Sequence, residues 1–171
     1  CAQAKEWMSA GLPALTLGVN LSARQLRQPD LVERVAAILD QTGLPPAKLK
    51  LELTESMIMG QGEQAPDLLR SLKALGLGLS IDDFGTGYSS LARLKHLPID
   101  ELKIDRDFVR DIPRDHNDME IAATIIAMAR NLKLRVIAEG VETQAQLDFL
   151  ARQGCHACQG FFLGRPMPAK V

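Results

Sequence analysis

Asp82 and Asp83 stand side by side where the apolar run Leu77–Ile81 ends, and Gly85 and Gly87 break the chain directly after them. Burying an unpaired carboxylate costs several kcal/mol, so two of them at the end of a hydrophobic strand call for a cation. A helix cap with a solvated neighbour would account for one aspartate and leave the other unexplained. Asn20, Glu52, Lys103 and Glu139 occupy matching places at the ends of other apolar runs. Asn20, Glu52, Asp82 and Asp83 are hard oxygen donors, the kind that Mg²⁺ and Mn²⁺ prefer. Two metals sharing a bridging carboxylate suit phosphoester hydrolysis, because they clamp the attacking water and the phosphate oxygens together. Lys103 could orient that water or stabilise the pentacoordinate phosphorus, and Glu139 could bind a second metal or take a proton. Two other readings stay open on residue types alone. Lys103 could simply pair with Asp82 or Asp83 inside the fold. Carboxylates holding Mg²⁺ opposite a lysine base could also abstract a proton beside a carboxylate, as enolase-type barrels do.

The elements that must position these residues alternate along the chain. Strands are predicted at 14–20, 49–54, 77–83, 101–105, 134–139 and 157–162. Helical patterns lie between most of them. Pro29 is placed in the first turn of one helix, whose stripe is Leu31, Val35, Ile38 and Leu39 and whose stop is Gly43. Leu68, Leu69, Leu72 and Leu75 form a second stripe, ended by Gly76, and Ile121, Ile125, Met128 and Leu132 form a third. Thr143 with Gln146 is a capping box opening a last helix, which Gly154 closes. Strand–helix alternation calls for a parallel sheet covered by helices.

Strand parity separates an open sheet from a closed one. Leu15, Leu17 and Val19 oppose Thr16, Gly18 and Asn20, while Leu49, Leu51 and Leu53 oppose Lys50, Glu52 and Thr54. Leu77, Leu79 and Ile81 oppose Gly78, Ser80 and Asp82, and Leu102 and Ile104 oppose Glu101, Lys103 and Asp105. One polar group per strand, all at the same end, is how a (β/α) barrel builds its site. An open doubly wound sheet would instead favour a Gly-rich phosphate fingerprint in its first turn, which is absent. A barrel needs about eight strands, and only six runs are present. Cys1, Ala4, Trp7 and Met8 at helical spacing, with Gly11 as the stop, read as the end of a helix whose strand precedes the chain. The expected fold is therefore a TIM-like (β/α) barrel, incomplete and lacking about two N-terminal strands.

Composition narrows the functional classes. The 171 residues, 46% hydrophobic and 24% charged, fit one ordinary globular domain spanning 1–171. A formal net charge of -1 gives no global reason to bind nucleic acid or membrane, so a phosphate ligand must be met locally. Aromatic content of 4% argues against base-stacking platforms for a nucleic-acid polymer. No run spans a bilayer and no signal-peptide pattern opens the chain. Three cysteines, an odd count, argue against a disulfide framework and point to a reducing cytosol.

The sequences flanking the candidate residues resemble one family. Val19–Ser22, Leu51–Ser56, Ile81–Leu91, Leu102–Asp105, Val136–Thr143 and Gln159–Phe162 with Arg165–Pro168 are similar, in order, to the successive motifs of the EAL domain. Several motifs in order are far more specific than one. The resemblance implies a TIM-like barrel that hydrolyses cyclic di-GMP to linear pGpG with Mg²⁺ or Mn²⁺, at a two-metal site in the complete domain. It implies that Asn20, Glu52 and Asp82 are metal ligands, with Asp82 bridging towards a second metal near Asp83. Lys103 would contact the attacking water, and Glu139 would act as base or second-metal ligand. Glu55 would steady the loop after the aspartate pair, Gln159 would line the substrate site, and Glu142 would play a supporting part. The resemblance also implies dimer contacts around 84–90 and attachment to sensory or diguanylate-cyclase domains in a larger cytoplasmic or membrane-attached protein.

The Glu-Ala-Leu motif itself is absent, so the chain is expected to be about two-thirds to three-quarters of the family's barrel. Residues 1–171 alone are expected to turn over little or no substrate, because a lost ligand weakens a metal site and an open barrel exposes sheet edges. A non-catalytic cyclic di-GMP receptor is the alternative, although a pure receptor has no need to keep the ligand set. Other features have plainer explanations. Cys155 and Cys158 have metal-like spacing but supply too few ligands for zinc, and packing accounts for them. His96 and His116 are expected in solvent. Gly85–Gly87 could be a phosphate cradle, although it lacks the lysine of a P-loop, or a strand-to-helix turn with Ser89 or Ser90 near the helix start. The charged stretch 106–115 is expected to be a solvated surface.

Overall fold

The computed structural model describes residues 1–12, 15–60, 62, 65–87 and 91–169. Six strands lie in one sheet in chain order, β1-β2-β3-β4-β5-β6. They are β1 (Leu17–Asn20), β2 (Leu49–Thr54), β3 (Gly78–Phe84), β4 (Glu101–Ile104), β5 (Arg135–Ala138) and β6 (Ala157–Cys158). Backbone contacts divide the chain into two compact units, Cys1–Ser80 with Ser90–Ile99, and Ile81–Ser89 with Asp100–Val171.

In the first unit β1 pairs in parallel with β2, with Leu17 opposite Leu49 and Asn20 opposite Glu52. The alternation of β2 is realised as read: Leu49, Leu51 and Leu53 are buried, and Lys50, Glu52 and Thr54 are half-buried. Burying each such leucine contributes roughly 1.5–3 kcal/mol. β1 is an edge strand whose aliphatic face is only half-buried. It begins at Leu17, later than expected, and Ala14 lies outside the described residues.

Helices α1 (Ala2–Ser9), α2 (Ala23–Leu26), α3 (Leu31–Thr42), α4 (Glu55–Gly60), α5 (Ala65–Ala74) and α6 (Leu91–Leu94) complete the unit. α3 packs against α5, and their inward residues are Leu31, Val35 and Leu39 on one and Ala65, Leu69 and Leu72 on the other. Pro29 does not lie in the first turn of α3, because Asp30 is the N-cap and the helix starts at Leu31. Ile38 is 44% exposed and falls off the packed stripe, and Leu68 and Leu75 are half-buried at its margins. Gly43 ends α3 in the left-handed conformation expected of a helix stop.

The second unit holds the C-terminal half of β3, β4 to β6, α7 (His116–Asn131) and α8 (Gln144–Gln153). β4, β5 and β6 pair in parallel, with Lys103 opposite Ile137 and Ala138 opposite Cys158. All four residues of β4 are buried, as befits a parallel strand covered on both faces. α7 packs on β4, β5 and α8 through Ala122, Ile125, Ile126 and Ala129. The expected stripe was wrong at Ile121, which is 37% exposed, because two alanines take the inward face and let the helix approach the sheet. The capping box at Thr143 and Gln146 forms, and Gly154 closes α8 at φ +85°. β6 stops at Cys158, not Phe162: the Leu163 N–H turns back to the Gly160 carbonyl, and Phe161 and Phe162 are exposed. His96, His116 and most of 106–115 are exposed, as expected.

Candidate metal-binding active site

β4 delivers Lys103 into the second unit with its side chain 5% exposed. Its Nζ lies 3.1 Å from Asp82 Oδ1 and 2.5 Å from Glu139 Oε1. Asp82 comes from β3, and Glu139 follows β5, where its N–H donates to the Ile104 carbonyl at 3.1 Å. Two strand ends thus bring a carboxylate each to one ammonium. The internal ion pair left open by the sequence exists, but its second partner is Glu139, with Asp82 as the first.

Asp82, Asp83 and Glu139 each offer a carboxylate oxygen within 4.8 Å of the others. Carboxylates outnumber the ammonium, so the cluster keeps a negative charge that a hard divalent cation would neutralise. All-oxygen donors at this spacing fit Mg²⁺ or Mn²⁺. Asp83 sits at φ +52°, in the left-handed region where a non-glycine residue is strained by about 1–3 kcal/mol. Aspartate is one of the few side chains that tolerate it. Here the Asp83 N–H donates to Asp82 Oδ1 at 3.2 Å, and the Thr86 hydroxyl donates to the Asp83 carbonyl at 2.9 Å. Burial first, then the charges of Asp82 and Asp105 and a hydrogen bond with Asp105, push the Asp83 carboxyl up, while Lys103 offsets this only in part.

Asp105 is the residue that sequence reasoning left out of the site. It lies two positions beyond Lys103, on the same face of the chain, so strand parity could have found it. Its carboxylate is fixed by the Asp107 N–H at 2.7 Å.

Two glycines set the backbone around Glu139. Gly140 has φ +71°, and a Cβ there would approach Arg106 Cβ to 2.6 Å. A Cβ on Gly160 would overlap the backbone nitrogen and carbonyl oxygen of Val141. The Val141 N–H donates to the Gln159 carbonyl at 3.0 Å, and the Gln159 N–H donates to Ala138 at 2.8 Å. Gln159 is exposed and lines an open cleft with Phe161 and Arg165, whose guanidinium lies 4.6 Å above the Phe161 ring. Glu142 is exposed, and its N–H donates to Gln146 Oε1 at 2.7 Å. The buried Gln146 amide also donates to the Val109 and Arg110 carbonyls at 3.0 and 2.9 Å, tying the Glu139–Glu142 loop to the segment after β4.

In the first unit, Asn20 at the end of β1 pairs in register with Glu52 within β2, and the Leu21 N–H donates to the Glu52 carbonyl at 2.9 Å. A Cβ on Gly18 would overlap Glu52 Oε1, so the glycine leaves room for that carboxylate. Glu55 opens α4 and is 2% exposed. Of the 84–90 loop, residues 88–90 lie outside the described residues, including Ser89 and Ser90.

The family model of the EAL domain matches residues 1–166. The chain belongs to the EAL domain family. MucR of Pseudomonas aeruginosa, a bifunctional diguanylate cyclase/cyclic di-GMP phosphodiesterase, is 48% identical over 170 residues, covering 99% of this chain and 25% of that protein. NbdA of the same organism, a cyclic di-GMP phosphodiesterase, is 49% identical over 168 residues, covering 98% of this chain and 22% of its own length. The chain therefore spans about a quarter of these relatives. The solved MucR phosphodiesterase in complex with c-di-GMP superposes with a TM-score of 0.95 at 48% identity, over 99% of this chain and 69% of that one. That likeness bears out the fold class: this is the α/β fold of the TIM-like EAL domain. Another EAL relative, Klebsiella pneumoniae BlrP1, was solved as a manganese/cy-diGMP complex (TM-score 0.85, 33% identity, 96% of this chain and 42% of that one).

Proposed function

We propose that this EAL chain is the phosphodiesterase domain of a larger signalling protein and hydrolyses cyclic di-GMP to linear pGpG. The observation that carries the reading is the buried Lys103 ammonium between Asp82 and Glu139, with Asp83 beside them. Asn20, Glu52, Asp82 and Asp83 would hold Mg²⁺ or Mn²⁺. The metal would supply Lewis acidity at the phosphate and lower the pKa of the attacking water. Lys103 would hold that water by donating to its oxygen, and Glu139 would take its proton or complete the ligand set. The water oxygen would bond to phosphorus as the bond from phosphorus to one ribose oxygen breaks, and that oxygen would leave as a hydroxyl, taking up a proton from solvent. Gln159 would contact the dinucleotide from its open cleft, while Glu55 and Glu142 would support the surrounding loops.

Cytoplasmic placement, linkage to sensory or diguanylate-cyclase domains and dimer contacts around 84–90 belong to the same proposal. Among the described residues no helix is long and apolar enough to cross a membrane. The test is incubation of the chain, and of its parent protein, with cyclic di-GMP and Mg²⁺ or Mn²⁺, followed by chromatography for pGpG. Parent-protein turnover that Asp82→Asn removes supports the reading, and residues 1–171 alone are expected to show little. Tight binding of cyclic di-GMP by the parent without metal-dependent turnover would replace the hydrolase with a receptor.

A further inference from the structure

After β6 the chain turns sharply and builds a cleft from consecutive residues of the second unit. The Phe162 N–H donates to the Val141 carbonyl at 3.0 Å, and the Leu163 and Gly164 N–H groups donate to the Gly160 carbonyl at 3.1 and 3.3 Å. This turn carries Arg165 back over Phe161, four positions earlier, with the guanidinium carbon 4.6 Å from the ring centre. Gln159, Phe161, Gly164, Arg165 and Pro166 line a cleft of about 530 Å³, room for a purine base. A Cβ on Gly164 would meet nothing within 4 Å, so that wall stands open. Phe161 is 51% exposed and Arg165 is exposed with it, so their contact adds little to stability. Its consequence is positional. The ring seats the guanidinium without spending its N–H donors on a carboxylate, and among the described residues no ion pair occupies them. The cleft also adjoins the acidic cluster, because the Gln159 backbone bonds to Ala138 and Val141 on either side of Glu139.

We propose that Arg165, seated on Phe161, reads the O6 and N7 edge of one guanine of the dinucleotide and so sets the base specificity of the domain. This rests on the phosphodiesterase reading above and adds which side chain recognises the base. Guanine presents two acceptors, O6 and N7, side by side, and the guanidinium fork meets both at once. Adenine carries an amino group in the place of O6, so the fork would face a donor with a donor and lose one of its two bonds. A lysine in the same place keeps the charge and has no fork. An arginine that served a phosphate instead would be indifferent to the base, and that difference decides the test.

The parent protein and its Arg165→Lys and Phe161→Leu variants are assayed with cyclic di-GMP and with its 7-deazaguanine analogue, which keeps the phosphates and O6 but lacks the N7 acceptor. The unaltered protein is expected to show a KM about tenfold higher for the analogue, with kcat little changed. In Arg165→Lys the KM for cyclic di-GMP should rise about tenfold at unchanged kcat, and the difference between the two ligands should shrink to about twofold or less. Phe161→Leu, which removes the seat, should fall between the two. An unchanged KM in Arg165→Lys, or an equal rise for both ligands, overturns the proposal and leaves the phosphodiesterase reading in place. The comparison reads equally well in dissociation constants, so a parent protein that binds without turnover fails the earlier reading and still tests the arginine. A parent protein that binds neither ligand overturns both.

Discussion

Replacing Lys103 with methionine tests whether the ammonium holds the site together electrostatically. The side chain is 5% exposed and its carboxylate partners Asp82 and Glu139 are 12% and 19% exposed, so water screens the cluster weakly. At an effective dielectric of about 20, attraction across 3.1 Å and 2.5 Å has a gross value of roughly 5 and 7 kcal/mol. Desolvation consumes much of that. Removing the ammonium also uncovers repulsion among Asp82, Asp83 and Glu139, about 3.5 kcal/mol for each ionised pair at the 4.8 Å limit of their spacing. The folded variant escapes part of this by taking up a proton. The expected net loss is about 3 kcal/mol at pH 7.5 without metal, the low end for breaking a buried pair. For a chain of this size that is roughly 6–12 °C in Tm. Lys103 is the charge that holds the Asp83 carboxyl down against burial and its acidic neighbours, so the variant's deficit is small near pH 4 and grows as pH rises. Urea unfolding of both proteins across pH 4.5–7.5, with and without Mn²⁺, measures it. A deficit below about 0.5 kcal/mol, or one that does not change with pH, would show that Lys103 is mere packing.

Other perturbations follow from the same geometry. Asp83 is held above its unfolded value, so its contribution favours folding below about pH 4 and turns into a cost as pH rises through the folded pKa. Asp83→Asn should therefore raise the Tm of the metal-free chain at pH 7.5, lose that advantage near pH 4, and gain less than the parent from added Mn²⁺; a lower Tm at pH 7.5 would contradict this. Gly160→Ala places a methyl on the Val141 backbone and should cost about 3 kcal/mol or more, read as a Tm drop with faster amide exchange at Val141 and Gln159. Gln146→Leu keeps the volume but strips partners from the Val109 and Arg110 carbonyls and from the Glu142 N–H, at a cost of about 2–4 kcal/mol by chemical denaturation. Gln146→Glu should recover only part of it, since a carboxylate cannot donate to the two carbonyls.

The pairing of Asp82 with Lys103 was legible because strand alternation has a period of two: once β3 and β4 are assigned, both side chains fall on the polar parity of their strands. The same rule reached Asp105, but β4 stops at Ile104 and the aspartate was read as the strand's end instead of as a neighbour of Asp83. The misread helix faces have a different cause. Hydrophobicity ranks Ile121 above alanine, yet the buried arc of α7 is Ala122, Ile125, Ile126 and Ala129, and Ile121 falls outside it, as Ile38 falls outside the Leu31–Val35–Leu39 arc of α3. The end of the chain shows a third cause. Phe161 and Phe162 look like strand residues, but Gly160 presses its backbone onto Val141, which holds the chain in the Glu139 loop's hydrogen bonds and turns it away from the ladder. Close backbone approach leaves no periodic signal, because it depends on an atom that glycine lacks. Such positions are found only by asking what a methyl group would strike, and two of those found that way here, Gly140 and Gly160, fix the Glu139–Val141 segment. The parts of this chain that sequence pattern describes least are therefore those that fix how its acidic cluster is held, and there a single added carbon should do more harm than the loss of a surface charge.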